Sequence, residues 1–234
     1  MQLSVVVPVK NEKENIAPLV EEIRAALAGM RFEIIYVDDG SDDGSWPLLR
    51  GLEADLPELR AVRHRIGCGQ STAVLTGVRQ ARASWIATLD GDGQNDPADI
   101  PKMLAQLARG NPLVCVCGYR RKRRDTWLKR FSSRIANGVR GTLLQDDTPD
   151  TGCGLKVFSR EAFLALPYFD HMHRFLPALF LRGGGAIVSV EVEHRERTRG
   201  VSKYGLFNRL WVGIIDIFGV AWLQRRARIP ELEG

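Results

Sequence analysis

Apolar residues along this chain fall into short runs, separated by longer stretches in which they recur every three or four positions. Residues 3–9 (LSVVVPV) form an apolar, β-branched run, and from about 15 to 27 the apolar positions take up helical spacing. The strand signal returns at 32–37, 59–62, 85–89 and 113–116, with helical segments near 46–56, 71–83 and 97–109 between them. Strands alternating with helices predict a parallel, doubly wound α/β sheet. After Gly118 the periodicity weakens into a basic helix over 126–139, a loop to Asp150, and short strands around 155–158 and 186–192. No repeat or low-complexity linker interrupts the chain. The expected organisation is one α/β domain over 1–205, followed by a helix and basic tail over 206–234.

The stretch 210–223 (LWVGIIDIFGVAWL) is strongly apolar, but it is only fourteen residues long and carries Asp216. A spanning helix needs about 20 apolar residues, so this one is too short to cross a bilayer unaided. Trp211 and Trp222 bracket it, and Arg225, Arg226 and Arg228 follow. Aromatic ends with a basic flank suit a helix lying in a membrane interface; a core or dimer-interface helix fits the composition equally well.

Composition narrows the classes. At 234 residues and 44% hydrophobic, the chain can bury a full core, which excludes a disordered or disulfide-scaffolded protein. The four cysteines, Cys68, Cys115, Cys117 and Cys153, form no C-x-x-C pair, so thiols are expected. No basic and apolar leader precedes the first strand, which points to the cytoplasmic side of the membrane. The net charge of +5 is uneven: residues 119–140 hold nine basic side chains against one acid, Asp125. That favours an anionic partner. Nucleic acid is not expected, because the basic run has few interleaved aromatics for base stacking.

In open α/β sheets ligands bind beyond the carboxyl ends of the strands, and those places here are rich in carboxylate. The second strand ends in Asp38-Asp39-Gly40-Ser41 and the fourth in Asp90-Gly91-Asp92-Gly93-Gln94. Carboxylates two apart on extended backbone point the same way, so Asp90 and Asp92 can hold a hard divalent cation, with Gln94 adding a carbonyl oxygen. Without His or Cys beside them, Mg²⁺ or Mn²⁺ is favoured over Zn²⁺. The plainer reading is a solvated acidic turn before a capped helix at Asp96-Pro97. Gly67-Cys68-Gly69 invites a dinucleotide reading, but the third glycine position is Thr72, so the loop is read as one that lets backbone at Gly69 approach a nucleotide.

Taken together, the runs VVVPVKNEKENI, IIYVDDGSDDGS, TLDGDGQNDP, DTGCGLKVFSR and RTRGVSKYG resemble inverting glycosyltransferase family 2, and particularly its dolichol- and polyprenyl-phosphate sugar synthases. The resemblance implies the GT-A fold: a Rossmann-like, mixed but mainly parallel sheet flanked by helices, here with a C-terminal interfacial amphipathic helix. It implies that Pro8, Glu12 and Asp39 line a nucleoside pocket with Asp38 beside them, where Asn11 adds a polar group at the same strand edge, and that Asp90, Asp92 and Gln94 bind metal and diphosphate. Arg120 and Arg134 would hold an acceptor phosphate; Arg197 and Lys203 would reach the donor diphosphate or the same acceptor. The implied donor is GDP-mannose or a UDP-sugar, and the implied acceptor a polyprenyl phosphate on an anionic membrane surface. A glycan or lipid hydroxyl is the alternative acceptor, for which Asp150 is the candidate base. Many such proteins continue into transmembrane helices, so peripheral attachment is expected of a chain with only the short apolar helix.

Overall fold

The computed structural model describes residues 2–107, 113–120, 141, 143–195 and 206–228, with side chains of the last helix described from 213 onward. Seven strands form one sheet: β1 (Leu3–Val9), β2 (Phe32–Asp38), β3 (Leu59–Arg63), β4 (Trp85–Thr88), β5 (Val114–Tyr119), β6 (Lys156–Ser159) and β7 (Ala186–Glu191). Their order is β3-β2-β1-β4-β6-β5-β7. The first four run parallel, as does β7 on β5, whereas β6 is antiparallel to both β4 and β5. The sheet is thus mixed and mainly parallel, as the family resemblance implies; the alternation of strands and helices alone gave no sign of the reversed β6. Only four residues long, β6 carries no periodicity that could set its direction.

Helices α1 (Lys13–Ala26), α2 (Ser45–Asp55) and α3 (Gln70–Gln80) follow the first three strands. The expected helix over 97–109 is instead a 3₁₀ turn, Pro97–Asp99, running into a short α4 (Ile100–Leu104). Two prolines in its first turns remove backbone donors and break regular α pairing. The chain then adds α5 (Arg160–Leu164), a second 3₁₀ turn (Met172–Arg174), α6 (Leu176–Arg182) and α7 (Leu206–Arg226). The expected basic helix over 126–139 lies outside the described residues.

Alternation along β1 splits the core into two layers. Leu3, Val5, Val7 and Val9 pack with Ile16, Leu19, Val20 and Ile23 of α1 and Leu49 of α2. On the other face, Val6, Ile35 and Val37 meet Ala73, Val74 and Val78 of α3, together with Phe163 of α5 and Leu179 of α6. The same layer takes in Val220 and Ala221, so α7 lies against the domain. Gln224 Nε2 donates to Leu144 O and Ala178 O, and Arg182 Nε donates to Leu223 O. The opposite side of α7 is bare: Ile215, Phe218 and Trp222, spaced by three and four residues, are 69%, 62% and 59% exposed. No helix among the described residues is long and apolar enough to cross a membrane. All four cysteines are free thiols; those of Cys115 and Cys117 lie 3.6 Å apart on β5.

Candidate active site

A cavity of about 570 Å³ opens at the carboxyl ends of β1, β2 and β4. Asp90 and Asp92 line it, with Gly91 and Gln94 beside them. Glycine is required between the two acids, because a Cβ at 91 would collide with Val9 and stand 3.0 Å from Pro8 O. Gly154 makes room in the same way on the far side, where a Cβ would run into the Asp90 carboxylate. Gln70 Nε2 donates to Asp90 Oδ1 at 2.8 Å, and Gln94 N donates to Asp92 Oδ1 at 3.1 Å.

Burial, and then the charge of Asp92, push the Asp90 carboxyl up to about 6, while Lys156 and Arg120 pull it down. Two crowded carboxylates that resist ionising together are what a divalent cation relieves, and the set Asp90, Asp92 and Gln94 offers only oxygen donors. These residues therefore fit Mg²⁺ or Mn²⁺. In metal-free protein the same arrangement costs stability. The folded pKa lies above the ordinary 3.8, so the penalty is absent below pH 3.8, grows as the pH rises toward 6, and is complete above it. Asp90→Asn should accordingly stabilise the chelator-treated protein at pH 7.5 by on the order of 1–3 kcal/mol. Thermal unfolding checks this; a lower Tm would show that the carboxylate's hydrogen bonds outweigh its burial.

The nucleoside end is built on β1 and β2. Pro8 and Glu12 line the cavity, the latter accepting from Asn15 Nδ2 at 2.7 Å. Asp39 also lines it, but both its oxygens are engaged: Cys68 N and Gly69 N donate to it at 2.7 and 2.9 Å, and His64 Nδ1 lies 2.8 Å away. His64 Nε2 meets Thr76 Oγ1 at 2.9 Å. The Asp39, His64 and Cys68 ligand atoms fall within 4.8 Å of one another. With both ring nitrogens of His64 already bonded, the arrangement is a relay that pins Gly69, at φ +89°, to the start of α3.

Two residues expected at the nucleoside pocket, Asp38 and Asn11, do not line this cavity. Asp38 is fully buried, accepts from Ser41 N at 2.8 Å and pairs with Arg63 at 3.2 Å, away from the cavity. Asp38 is the last residue of β2 and Asp39 the first beyond it, and of the two Asp39 lines the cavity. Asn11, at φ +56°, is turned toward the next loop, where its Oδ1 accepts from Asp42 N at 2.8 Å.

Across the cavity from the nucleoside end, Arg120 at the end of β5 is not a lone cation. Its Nε and Nη2 donate to Asp150 Oδ2 and Oδ1 at 2.5 and 2.9 Å, with the side chains 13% and 6% exposed. The Asp150 carboxylate is thus locked into a two-point ion pair. Among the described residues the Nη1 of Arg120 has no hydrogen-bond partner. Among the lining residues that escaped the sequence reading are Gln70, Lys156 and His173. Buried Lys156 donates to Thr151 O at 3.4 Å and to Cys153 O. A lysine inside the apolar run GLKVF was the legible signal for it. Arg134, Arg197 and Lys203 lie outside the described residues.

The family described as Glycosyl transferase family 2 matches residues 4–166. A dodecaprenyl-phosphate galacturonate synthase of Rhizobium johnstonii is 37% identical over 239 residues, covering 98% of this chain and 69% of its own length. An undecaprenyl-phosphate 4-deoxy-4-formamido-L-arabinose transferase of Edwardsiella ictaluri is 33% identical over 208 residues. That match covers 87% of this chain but only 63% of the relative. Among solved structures, a mannosyltransferase of Pyrobaculum calidifontis in complex with GDP-Man and Mn²⁺ superposes with a TM-score of 0.70 at 22% identity. It covers 98% of this chain and 66% of that one, and shows the shared fold.

Proposed function

The chain belongs to glycosyltransferase family 2, and from that premise we propose that it transfers a sugar, with inversion, from a nucleoside-diphosphate sugar to a polyprenyl phosphate. The observation that carries the reading is the meeting, in one cavity, of the Asp90/Asp92 pair with Arg120, itself held by Asp150. The first suits a cation and the donor diphosphate, the second the phosphate of an acceptor. Both relatives described above are named for polyprenyl-phosphate substrates. The donor is GDP-mannose or a UDP-sugar. Its nucleoside would lie over Pro8, Glu12 and Asp39, and Mg²⁺ or Mn²⁺ on Asp90, Asp92 and Gln94 would neutralise the departing diphosphate.

Arg120, braced by Asp150, presents its remaining guanidinium edge in fixed orientation. A phosphate acceptor already carries the attacking negative oxygen, so the protein need only position it. A hydroxyl acceptor would need a base, and the ion-paired Asp150 argues against that alternative. Arg134, Arg197 and Lys203 extend the phosphate-binding set in this reading. Residues 1–205 are the catalytic domain and 206–234 the membrane element. The donor half is tested by thermal shift with UDP and GDP, each with and without Mn²⁺. A ligand that binds only the native state raises Tm, and no shift with either diphosphate would contradict the reading.

The bare face of α7 gives the acceptor's membrane a place to sit. In this reading Ile215, Phe218 and Trp222 enter the interface while exposed Arg225, Arg226 and Arg228 meet anionic head groups at the cytoplasmic face. Each buried aromatic contributes roughly 1.5–3 kcal/mol, so Phe218→Ser with Trp222→Ser should cut binding to phosphatidylglycerol-containing vesicles at least about tenfold. Because both side chains are exposed, Tm should stay unchanged. Flotation equal to the parent protein would remove α7 from the membrane contact.

A further inference from the structure

One wall of the cavity is used neither by the carboxylate pair nor by Arg120. It is formed where the first turn of α3 meets the 3₁₀ turn Met172–Arg174, 102 residues away in sequence. Ser71, only 1% exposed, makes the junction. Its Oγ accepts from His173 N at 3.2 Å and lies 2.7 Å from Nδ1 of the same histidine. A serine hydroxyl carries a single proton. The oxygen can also accept twice; where its proton goes to Nδ1, that nitrogen accepts and the ring's own proton sits on Nε2. Among the described residues Nε2 has no hydrogen-bond partner, and His173 lines the cavity. Burial, and then the charges of Arg174, Lys156 and His171, hold the imidazole well below its ordinary pKa, so the ring stays neutral in neutral solution.

A neutral N–H facing a polar cavity suits an uncharged oxygen better than a phosphate, for which charged donors stand nearby. Its place is set by the residue before Ser71: Gln70 bonds to Asp90, so this wall adjoins the carboxylate pair. There a bound donor would pass from diphosphate to sugar. Resting on the nucleotide-sugar reading above, we infer that His173, its Nδ1 accepting from Ser71, determines donor specificity by donating a hydrogen bond from Nε2 to a hydroxyl oxygen of the donor sugar.

The test compares sugar-bearing and sugar-free ligands on paired variants. Calorimetric affinities with Mn²⁺ would be measured for UDP, UDP-glucose, UDP-galacturonate, GDP and GDP-mannose. In His173→Asn the amide reaches only the Nδ1 position, keeping the Ser71 contact; in His173→Gln it reaches the Nε2 position. His173→Asn should weaken the nucleotide sugar that the parent binds by about three- to tenfold while leaving its nucleoside diphosphate within about twofold, and His173→Gln should restore most of the loss. A purely structural histidine would move both ligands together. Equal losses in the two ligands, no loss at all, or a glutamine variant no better than asparagine would overturn the inference while leaving the transferase reading in place. Failure of the parent protein to bind either diphosphate would overturn both.

Discussion

Asp92→Ala is expected to lower sugar transfer by at least about a hundredfold, with the fold intact. Asp92 is only partly buried and lines the cavity, so its removal creates no hole in the core. What is lost is an oxygen ligand for the cation and, with it, compensation for charge on the departing diphosphate. Asp90→Ala should do the same, whereas Gln94→Ala should be milder, because an amide oxygen is a weaker ligand that water can replace. Steady-state turnover across a Mn²⁺ titration checks this. Parental turnover by the Asp92 variant at saturating Mn²⁺ would remove the carboxylate pair from catalysis.

The second large effect is expected at Arg120, and it has two parts that separate by measurement. A charged hydrogen bond to phosphate contributes roughly 1.5–3 kcal/mol, so Arg120→Ala should cost on the order of ten- to a hundredfold in catalytic efficiency for the acceptor. The same change strands the Asp150 carboxylate, 6% exposed, without its partner, and breaking a buried pair costs about 3–5 kcal/mol of stability. Arg120→Lys keeps the charge but cannot serve Asp150 and a phosphate from two edges of one plane, so it should recover only part of each loss. Acceptor kinetics, nucleotide affinity and Tm on the two variants distinguish the effects. Equal losses of nucleotide affinity and acceptor use would move Arg120 to the donor site.

Much of the frame was legible because periodicity reports burial directly. β1, β2, α1 and α3 fall where alternation and helical spacing place them, and the acidic clusters stand at the strand ends, as topology demands. Less could be read where a side chain's direction or partner depends on the assembled sheet. Asp38 and Asp39 look equivalent in sequence, yet one is buried against Arg63 and the other lines the cavity. The reversal of β6 between β4 and β5 leaves no mark in a four-residue run. Arg120 finds Asp150 across 30 residues and Ser71 finds His173 across 102. Such pairs follow from chain folding, and no local pattern announces them.

The central claim is that the acceptor is a polyprenyl phosphate, and product analysis tests it most directly. The full chain would be incubated with Mn²⁺, undecaprenyl phosphate in detergent or vesicles, and each labelled donor, and the lipid fraction resolved by thin-layer chromatography and weighed by mass spectrometry. The account predicts a glycosyl monophosphate lipid, with one nucleoside diphosphate released for each sugar transferred. Label that appears instead on a glycan or lipid hydroxyl, with undecaprenyl phosphate left unmodified under every donor, would contradict it.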